Sequence, residues 1–183
     1  ASSARAGVLV KGGAYIELPA RLNAIAMDKT GTLTRAEPEV AEVIPFGNHT
    51  EAEIIARAAA LEARSTHPLA RAVLRHAEQK GIAPAPAADV QVLRGKGVTG
   101  ILDGEQFWLG SHRYVVERGQ DTPETARQAE ALEADGKTVI AVGNPRHVCG
   151  LIAVADTIRP QAREIVQQLH AAGIAHVVML TGD

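Results

Sequence analysis

The stretch DKTGTLT, residues 28–34, directly follows the short apolar run NAIAM. Such a run is typical of a buried strand, here ending at Asp28, and open α/β sheets place their ligands at strand ends. Gly31 permits a sharp turn and a close approach of the backbone to a phosphate, while Thr30 and Thr32 offer hydroxyl and amide groups to its oxygens. An Asx-type turn after a strand needs only an Asp and a Gly. The whole stretch therefore favours a phosphoryl site with a carboxylate nucleophile.

Composition limits the classes of protein to which the chain can belong. With 183 residues, a net charge of −2 and a pI near 6.4, it lacks the basic excess that nucleic acid or anionic lipid calls for. Cys149 is the only cysteine, which excludes an internal disulfide and any CxxC metal site and makes a reducing, cytosolic setting the expectation. We also expect no secretory signal and no membrane span, because no apolar stretch approaches about 18 residues.

Helix-capping residues predict where the helices begin. Thr50 and Glu53 form a capping box, Pro68 stands at a favoured first position, and Thr122 caps a helix that opens with Pro123. The predicted helices run from about 51 to 63, from 68 to Gly81, from 123 to Gly136, and from about 160 to 172.

Short runs of β-branched and aromatic residues predict the strands, and Asp103-Gly104 predicts a hairpin turn between two of them. The predicted strands cover 90–93, 98–102, 106–109, 138–142, 148–154 and 177–180. These antiparallel strands, with their helices, interrupt a parallel-type α/β unit, which indicates an inserted domain. The chain should cross between domains near 34–38 and 156–160, where prolines and polar residues are expected to interrupt the strands.

The stretch 28–34 resembles the phosphorylation signature of the P-type ATPases. The resemblance implies an α/β fold: a partial haloacid-dehalogenase-like, Rossmannoid phosphorylation domain, with an inserted α+β nucleotide-binding domain built on an antiparallel sheet flanked by helices. The implied boundaries are 1–36 and 155–183 for the phosphorylation domain, whose second part is incomplete, and 37–154 for the nucleotide-binding domain. Residues 7–17 resemble the junction at which a membrane helix passes into the phosphorylation domain.

The resemblance also implies roles for the residues around Asp28. The Asp28 carboxylate would attack the γ-phosphate of ATP in line and form an aspartyl phosphate, with Mg²⁺ bound by Asp28 and by the carbonyl of Thr30. Thr32 and Thr181 would contact the phosphoryl group, and Lys29 would add positive potential near the phosphates. A free-standing phosphatase of the same superfamily usually has a second Asp two residues after the nucleophile, and here that position is Thr30.

Residues 65–69, STHPL, resemble the Ser-x-His-Pro element of the heavy-metal class of these pumps. His67 precedes a helix whose first amides are unpaired and whose dipole end is positive, a place that suits an anionic or nucleotide ligand. A lone histidine at this position would ordinarily indicate a helix cap. The resemblance implies that His67 and Glu62 bind the nucleotide, with Glu62 touching the adenine.

The stretch GKGVTG, residues 95–100, satisfies the GxGxxG pattern, but a strand follows it instead of the helix that a dinucleotide-binding fold needs. From the motif alone, a glycine bulge in a hairpin is an equally good interpretation. The resemblance implies that Gly95, Gly97 and Val98 let the backbone approach the base and the ribose.

The turn pair Gly143-Asn144 falls where the family has its own Gly-Asn pair beside ATP, although by itself it predicts only a turn. The Lys-Gly-Ala-Pro-Glu element of other P-type classes does not occur in the sequence. Both features favour a nucleotide domain of the heavy-metal type.

Two functions remain open at this point. In the first, the chain is the ATP-binding and phosphorylation region of a heavy-metal cation pump and uses MgATP. Its partners would then be the pump's own membrane helices and actuator domain, and no nucleic acid. The chain would lie on the cytosolic side of a membrane, and the transported cation would bind outside the chain. In the second, it is a nucleotide-binding module in which Asp28 is inert, because the family's later lysine and Gly-Asp-Gly-x-Asn-Asp element are not in the sequence. Residues 11–17 resemble zinc, cadmium or cobalt pumps somewhat more than copper pumps.

Overall fold

The structure is a computed structural model that describes residues 5, 7–13, 15 and 18–180; Thr181 and part of the 7–17 segment lie outside these residues. Its strands are β1 (Ala24–Asp28), β2 (Thr34–Pro45), β3 (Ala88–Leu93), β4 (Gly97–Leu102), β5 (Glu105–Gly110), β6 (Thr138–Gly143), β7 (Val148–Ile158) and β8 (His176–Leu180). Its helices are α1 (Glu51–Glu62), α2 (Pro68–Gln79), α3 (His112–Glu117), α4 (Pro123–Ala134) and α5 (Ala162–Ala171). None of the helices in this described part combines the length and the apolarity needed to cross a membrane.

The chain divides into two compact units, residues 1–36 with 158–183 and residues 37–157. In the first unit, β1 and β8 pair in parallel, with Asp28 opposite Leu180. A parallel pair needs a long crossover connection, which here contains α5 and the whole of the second unit. The carboxyl ends of both strands therefore meet at one edge of the sheet, the edge at which such sheets bind ligands.

The second unit is built on a six-stranded sheet with the order β2-β7-β6-β5-β4-β3. Neighbours from β3 to β7 pair antiparallel. Asp103 and Gly104 both have positive φ, +50° and +81°, as a tight hairpin turn between β4 and β5 requires. This sheet confirms the predicted antiparallel architecture with flanking helices.

Alternate residues of the sheet enter two apolar cores on its opposite faces. On β6, Ile140 and Val142 pack with α1 and α2, whereas Val139 and Ala141 pack with α3 and α4. All four are at most 5% exposed. Both faces of the central strands are thus covered, which explains why β6 reads as a continuous apolar run rather than an alternating one.

Most predicted elements are confirmed with shifts of a few residues at their ends. The predicted capping box of α1 is present: Glu53 N donates to Thr50 Oγ1 at 3.3 Å and Thr50 N donates to Glu53 Oε2 at 2.8 Å. Two elements escaped prediction. Helix α3 has only six residues, too few for a periodic pattern, and β2 carries charged residues and a proline that mask its strand character.

The predicted interruption of the strands at 34–38 and 156–160 is wrong. Strand β2 continues through Pro38, and β7 continues through Asp156 to Ile158. A proline is tolerated there because β2 is the edge strand of the sheet. Instead of a break, the backbone of β2 has a local change of direction at Ala36, where φ is +55°. The N–H of the next residue, Glu37, donates to Asp156 Oδ1 at 3.1 Å.

Gly150 of β7 allows a close approach of its neighbours to the sheet. A Cβ at this position would lie 2.7 Å from the carbonyl oxygen of Ile44 and 3.0 Å from the Ile54 side chain. We expect Gly150→Ala to lower the free energy of unfolding by about 1–3 kcal/mol, the usual cost of overpacking. Chemical denaturation measures this, and Glu133→Ala on the exposed surface of α4 is the control, expected to change stability by less than about 0.5 kcal/mol. Equal stability of both variants would contradict the packing described here.

Candidate functional site

Asp28 is the last residue of β1 and is exposed. Its backbone is extended, with φ −66° and ψ 140°, and the chain then turns through Lys29–Leu33. Gly31 has φ +80° in this turn, a left-handed conformation that favours glycine. The carboxylate is therefore presented at the carboxyl end of a parallel strand, above a tight turn, as the sequence predicted from 28–34.

Thr34, which closes the turn, holds it in shape. It is 3% exposed, its Oγ1 donates to the carbonyl of Lys29 at 3.0 Å, and the same oxygen accepts from the N–H of Gly31 at 3.2 Å. The N–H of Thr34 also donates to the carbonyl of Lys29. A buried hydroxyl that donates to Lys29 and accepts from Gly31 holds the loop through bonds among its own residues.

Arg159 is a functional candidate that the sequence reasoning missed. Its Nη2 donates to the carbonyl of Gly31 and its Nε to the carbonyl of Thr32, both at 3.1 Å. Its backbone N–H donates to the carbonyl of Leu33 at 2.8 Å. The guanidinium thus braces the turn after Asp28 from a position 131 residues later. The only signal in the sequence was the position of Arg159 inside 156–160, where the chain was predicted to cross between domains.

A cavity of about 710 Å³ lies in the 37–157 unit, at the start of α2 and beside the β3–β4 turn. Its size falls in the range of small-molecule sites. Five of the predicted nucleotide-binding residues line it: Glu62, His67, Gly95, Gly97 and Val98. The structure brings these residues together although they are spread over 37 positions of the chain. Arg64 and Lys96, two cations beside the predicted motifs, also line the cavity and were not predicted.

His67 is the N-cap of α2 and lines the cavity at the same time. Its Nδ1 accepts a hydrogen bond from the N–H of Leu69 at 3.3 Å. Because Nδ1 acts as acceptor, the neutral imidazole carries its proton on Nε2, which can donate to a ligand. The two interpretations of His67, as a helix cap and as a ligand-binding residue, are therefore compatible.

The glycines of the β3–β4 turn differ in what they allow. Gly95 has φ +70° with nothing within 4 Å of an added Cβ, so its surroundings are open. Gly97 has φ +149°, and an added Cβ would lie 1.9 Å from the carbonyl oxygen of Leu109. Gly97 is thus required by the fold, whatever it does for a ligand.

Gly143 and Asn144 do not line the cavity; Gly143 ends β6, whereas the cavity meets the first three residues of that strand. Asn144 is 5% exposed, and its Oδ1 accepts from the N–H groups of Arg146 and His147 at 2.9 and 3.0 Å. Its carbonyl accepts from Trp108 Nε1 at 2.9 Å. The pair builds the β6–β7 turn and holds the indole of Trp108.

The comparisons with known proteins cover nearly the whole chain. A family model described as haloacid dehalogenase-like hydrolase matches residues 22–183. A probable cadmium-transporting ATPase from Alkalihalophilus pseudofirmus is 39% identical over 190 aligned residues, which cover 100% of this chain and 26% of that protein. The copper-exporting P-type ATPase B from Archaeoglobus fulgidus is 40% identical over 181 residues, covering 99% of this chain and 26% of that protein. The chain thus spans about a quarter of the length of these relatives.

Among solved structures, the crystal structure of a zinc-transporting PIB-type ATPase in its E2.Pi state superimposes with a TM-score of 0.84 at 36% sequence identity. The superposition covers 99% of this chain and 29% of that one. The mixed α/β fold with its antiparallel insert is therefore that of a P-type ATPase catalytic region.

We expect Gly97→Ala to destabilise the 37–157 unit by more than about 2 kcal/mol, because the new Cβ collides with backbone that cannot move aside. Gly95→Ala is the matched control: it pays only for the left-handed backbone, about 1 kcal/mol. Thermal unfolding of both variants measures the difference. If Gly97→Ala were no less stable than Gly95→Ala, the close approach of the β3–β4 turn to β5 would be refuted.

Proposed function

Because this chain belongs to the haloacid dehalogenase-like hydrolase family, we propose that Asp28 is a nucleophile that takes the γ-phosphoryl group of ATP and forms an aspartyl phosphate. The observation that carries the proposal is the geometry of residues 28–34. An exposed carboxylate ends a parallel strand, and Thr34 and Arg159 hold the following turn in place. A rigid turn fixes the position and direction of the carboxylate, and such positioning accounts for a large part of catalysis in phosphoryl transfer.

The residues at Asp28 fit a Mg²⁺ ion. A carboxylate oxygen of Asp28 and the carbonyl of Thr30 are hard oxygen donors, the type that Mg²⁺ binds in phosphoryl-transfer sites. When bound there, Mg²⁺ supplies positive charge that offsets the charge on the transferring phosphoryl oxygens. Lys29, Thr32 and Thr181 are proposed to face the same phosphoryl group, Lys29 through its charge and the threonines through hydroxyl or amide groups.

The cavity in the 37–157 unit is proposed to hold the base and the ribose of the nucleotide. His67 Nε2–H is a donor, Glu62 is an acceptor suited to an exocyclic amine, and the open surroundings of Gly95 leave room for a flat base to approach. Gly97 and Val98 are proposed to contact the base or the ribose from the adjoining backbone. Arg64 supplies positive charge for the phosphates at the same cavity, and Lys96, whose ammonium is paired with Glu117, adds to it.

Gly143 and Asn144 are proposed to serve the nucleotide site from the β6–β7 turn. Asn144 fixes that turn and holds Trp108, which is directly followed in β5 by Leu109, a residue that lines the cavity. A direct contact of the pair with nucleotide stays a prediction.

We infer that the complete protein is a heavy-metal cation-transporting P-type ATPase, in which the aspartyl phosphate drives transport across a membrane. The relatives are named for cadmium and copper and the structural neighbour for zinc, which supports a soft or borderline metal cation as the transported class. The partners proposed for this region are the membrane helices and actuator domain of the same pump. The chain would lie on the cytosolic side, and the transported cation would bind outside it.

Nucleotide binding can be tested with ADP and the variant His67→Asn. Asparagine is a good N-cap, so this variant keeps the cap of α2 and removes only the imidazole. Loss of one hydrogen bond to a charged or strongly polar ligand costs about 1.5 kcal/mol, so we expect about tenfold weaker ADP binding by calorimetry or NMR titration. Asp28→Asn is the control and should bind ADP as the wild type does, since Asp28 is proposed to meet only the γ-phosphate. Equal affinity of His67→Asn and wild type would refute the assignment of the cavity.

Phosphorylation can be tested in the complete pump with ATP labelled on its γ-phosphate. We expect acid-stable, hydroxylamine-sensitive label in the wild type and none in Asp28→Asn. Arg159→Ala releases the carbonyls of Gly31 and Thr32, and a misplaced nucleophile should slow labelling about 100-fold while ADP affinity is unchanged. Arg163→Ala, an exposed arginine on α5, is the matched control and should label normally. Rapid release of free phosphate without a labelled protein would favour a phosphatase instead.

A further inference from the structure

Three side chains of types that can bind metals lie close together in the 37–157 unit, and none of them lines the cavity. They are His49, in the loop between β2 and α1, His147, in the β6–β7 turn, and Cys149, on β7. His49 Nε2 lies 2.9 Å from His147 Nε2, and His147 Nε2 lies 3.9 Å from Cys149 Sγ. One donor atom from each of the three residues lies within 4.8 Å of those of the other two.

Backbone hydrogen bonds and the side chain of Asn144 hold the three residues in place. The N–H of Phe46 donates to the carbonyl of Cys149 at 2.9 Å, and the N–H of His49 donates to the carbonyl of Phe46 at 3.3 Å. The N–H of His147 donates to Asn144 Oδ1 at 3.0 Å. The side chains thus meet through a preformed scaffold, which lowers the cost of ordering them around an ion.

The distances suit a tetrahedral ion after small adjustments. With Zn–N bonds of about 2.0–2.1 Å and a Zn–S bond of about 2.3 Å, tetrahedral ligand atoms stand about 3.3 Å apart for N and N and about 3.5 Å apart for N and S. Two of the observed values, 2.9 Å between the histidines and 3.9 Å between His147 and Cys149, differ from these by a few tenths of an ångström. The donor atoms of His49 and Cys149 lie within 4.8 Å of each other and must come closer to share an ion. Side-chain rotation is sufficient to close such a difference. Cys149 is fully buried, while His147 is exposed, so an ion can enter from the solvent side.

Charged neighbours allow His49 to switch from hydrogen bonding to metal binding. Arg57 Nη1 lies 3.1 Å from His49 Nδ1, and because arginine only donates, His49 carries its proton on Nε2, between the two rings. A cation bound at Nε2 takes the place of that proton, and the proton of His49 moves to Nδ1. Because Nδ1 then donates and arginine also only donates, Arg57 must turn from Nδ1 toward Glu53. Glu53 Oε2 lies 3.9 Å from Nδ1 and must move closer to accept this proton, since it also accepts from Thr50 in the capping box of α1. Arg57 Nη2 is already 3.6 Å from Glu53 Oε1. A carboxylate behind a ligating histidine is a common feature of zinc sites.

We propose that His49, His147 and Cys149 bind a divalent cation of the zinc type, with water completing four ligands. One thiolate and two imidazoles form a donor set that Zn²⁺ and Cd²⁺ bind in preference to harder cations, which favour oxygen donors. The thiol proton of Cys149 passes to solvent when the Cys149 sulfur binds the cation. A bound ion joins the β2–α1 loop to the β6–β7 turn that Asn144 builds. Metal binding at these three residues requires no bound nucleotide.

The test uses the 183-residue chain without an affinity tag. Zn²⁺ is titrated by calorimetry, and Co²⁺ is titrated with absorbance as a readout of sulfur ligation. We expect one ion per chain, a thiolate-to-Co²⁺ charge-transfer band that Cys149→Ala removes, and a rise of the unfolding temperature with Zn²⁺. His147→Gln, at an exposed position that does not endanger folding, should weaken Zn²⁺ binding about 100-fold or more, since even indirect supports of a metal site are worth 10–100-fold.

The matched control is His76→Gln in the last turn of α2, which removes a histidine of the same unit from outside the cluster. It should bind Zn²⁺ as the wild type does. Zn²⁺ binding as tight in His147→Gln as in the wild type, or a Co²⁺ complex of the wild type without the charge-transfer band, would overturn the proposal. Circular dichroism checks that Cys149→Ala is folded, and His147→Gln decides the question if it is not.

Discussion

The backbone pairing of β6 with β7 is the interaction on which the 37–157 unit depends. Residues 138–143 pair with 148–154 at the centre of the sheet, and their side chains enter the cores on both faces. Neither strand can shift by one residue without exchanging the two sets of side chains between cores of different shape. Helix α1, which ends with Glu62, and helix α2, which His67 caps, pack on one of these cores. The geometry of the candidate cavity therefore depends on this register.

The two parts of the proposed catalytic apparatus are built in different ways. The turn after Asp28 is held by short-range bonds within 28–34, supplemented by Arg159 from far along the chain. The cavity is assembled from a helix boundary, a hairpin turn and strand ends that are distant in sequence. Phosphoryl transfer needs a rigidly aimed nucleophile, whereas a nucleotide base needs an open surface with a few donors, and each part has the construction that suits its task.

Sequence patterns predicted what local chemistry controls. The capping box at Thr50, the Asp103-Gly104 hairpin and the strand that ends at Asp28 are confirmed because each rests on preferences of a few adjacent residues. The predicted burial of that strand is wrong, since its residues are exposed or half-buried. The short α3 and the charged edge strand β2 were missed because pairing and packing, not local preference, stabilise them. The bracing role of Arg159 has no local signature, since its partners precede it by more than a hundred residues.

By itself, the sequence determined the class of chemistry: a carboxylate at a strand end before a glycine turn, and a capped helix preceded by His67, are patterns that adjacent residues suffice to specify. Only the tertiary structure decided which distant residues meet. It brought Arg64 and Lys96 to the cavity, gave Gly143 and Asn144 a place in the β6–β7 turn outside the cavity lining, and joined His49, His147 and Cys149. The physical reason is that such contacts follow from sheet register and helix packing, which no single segment encodes.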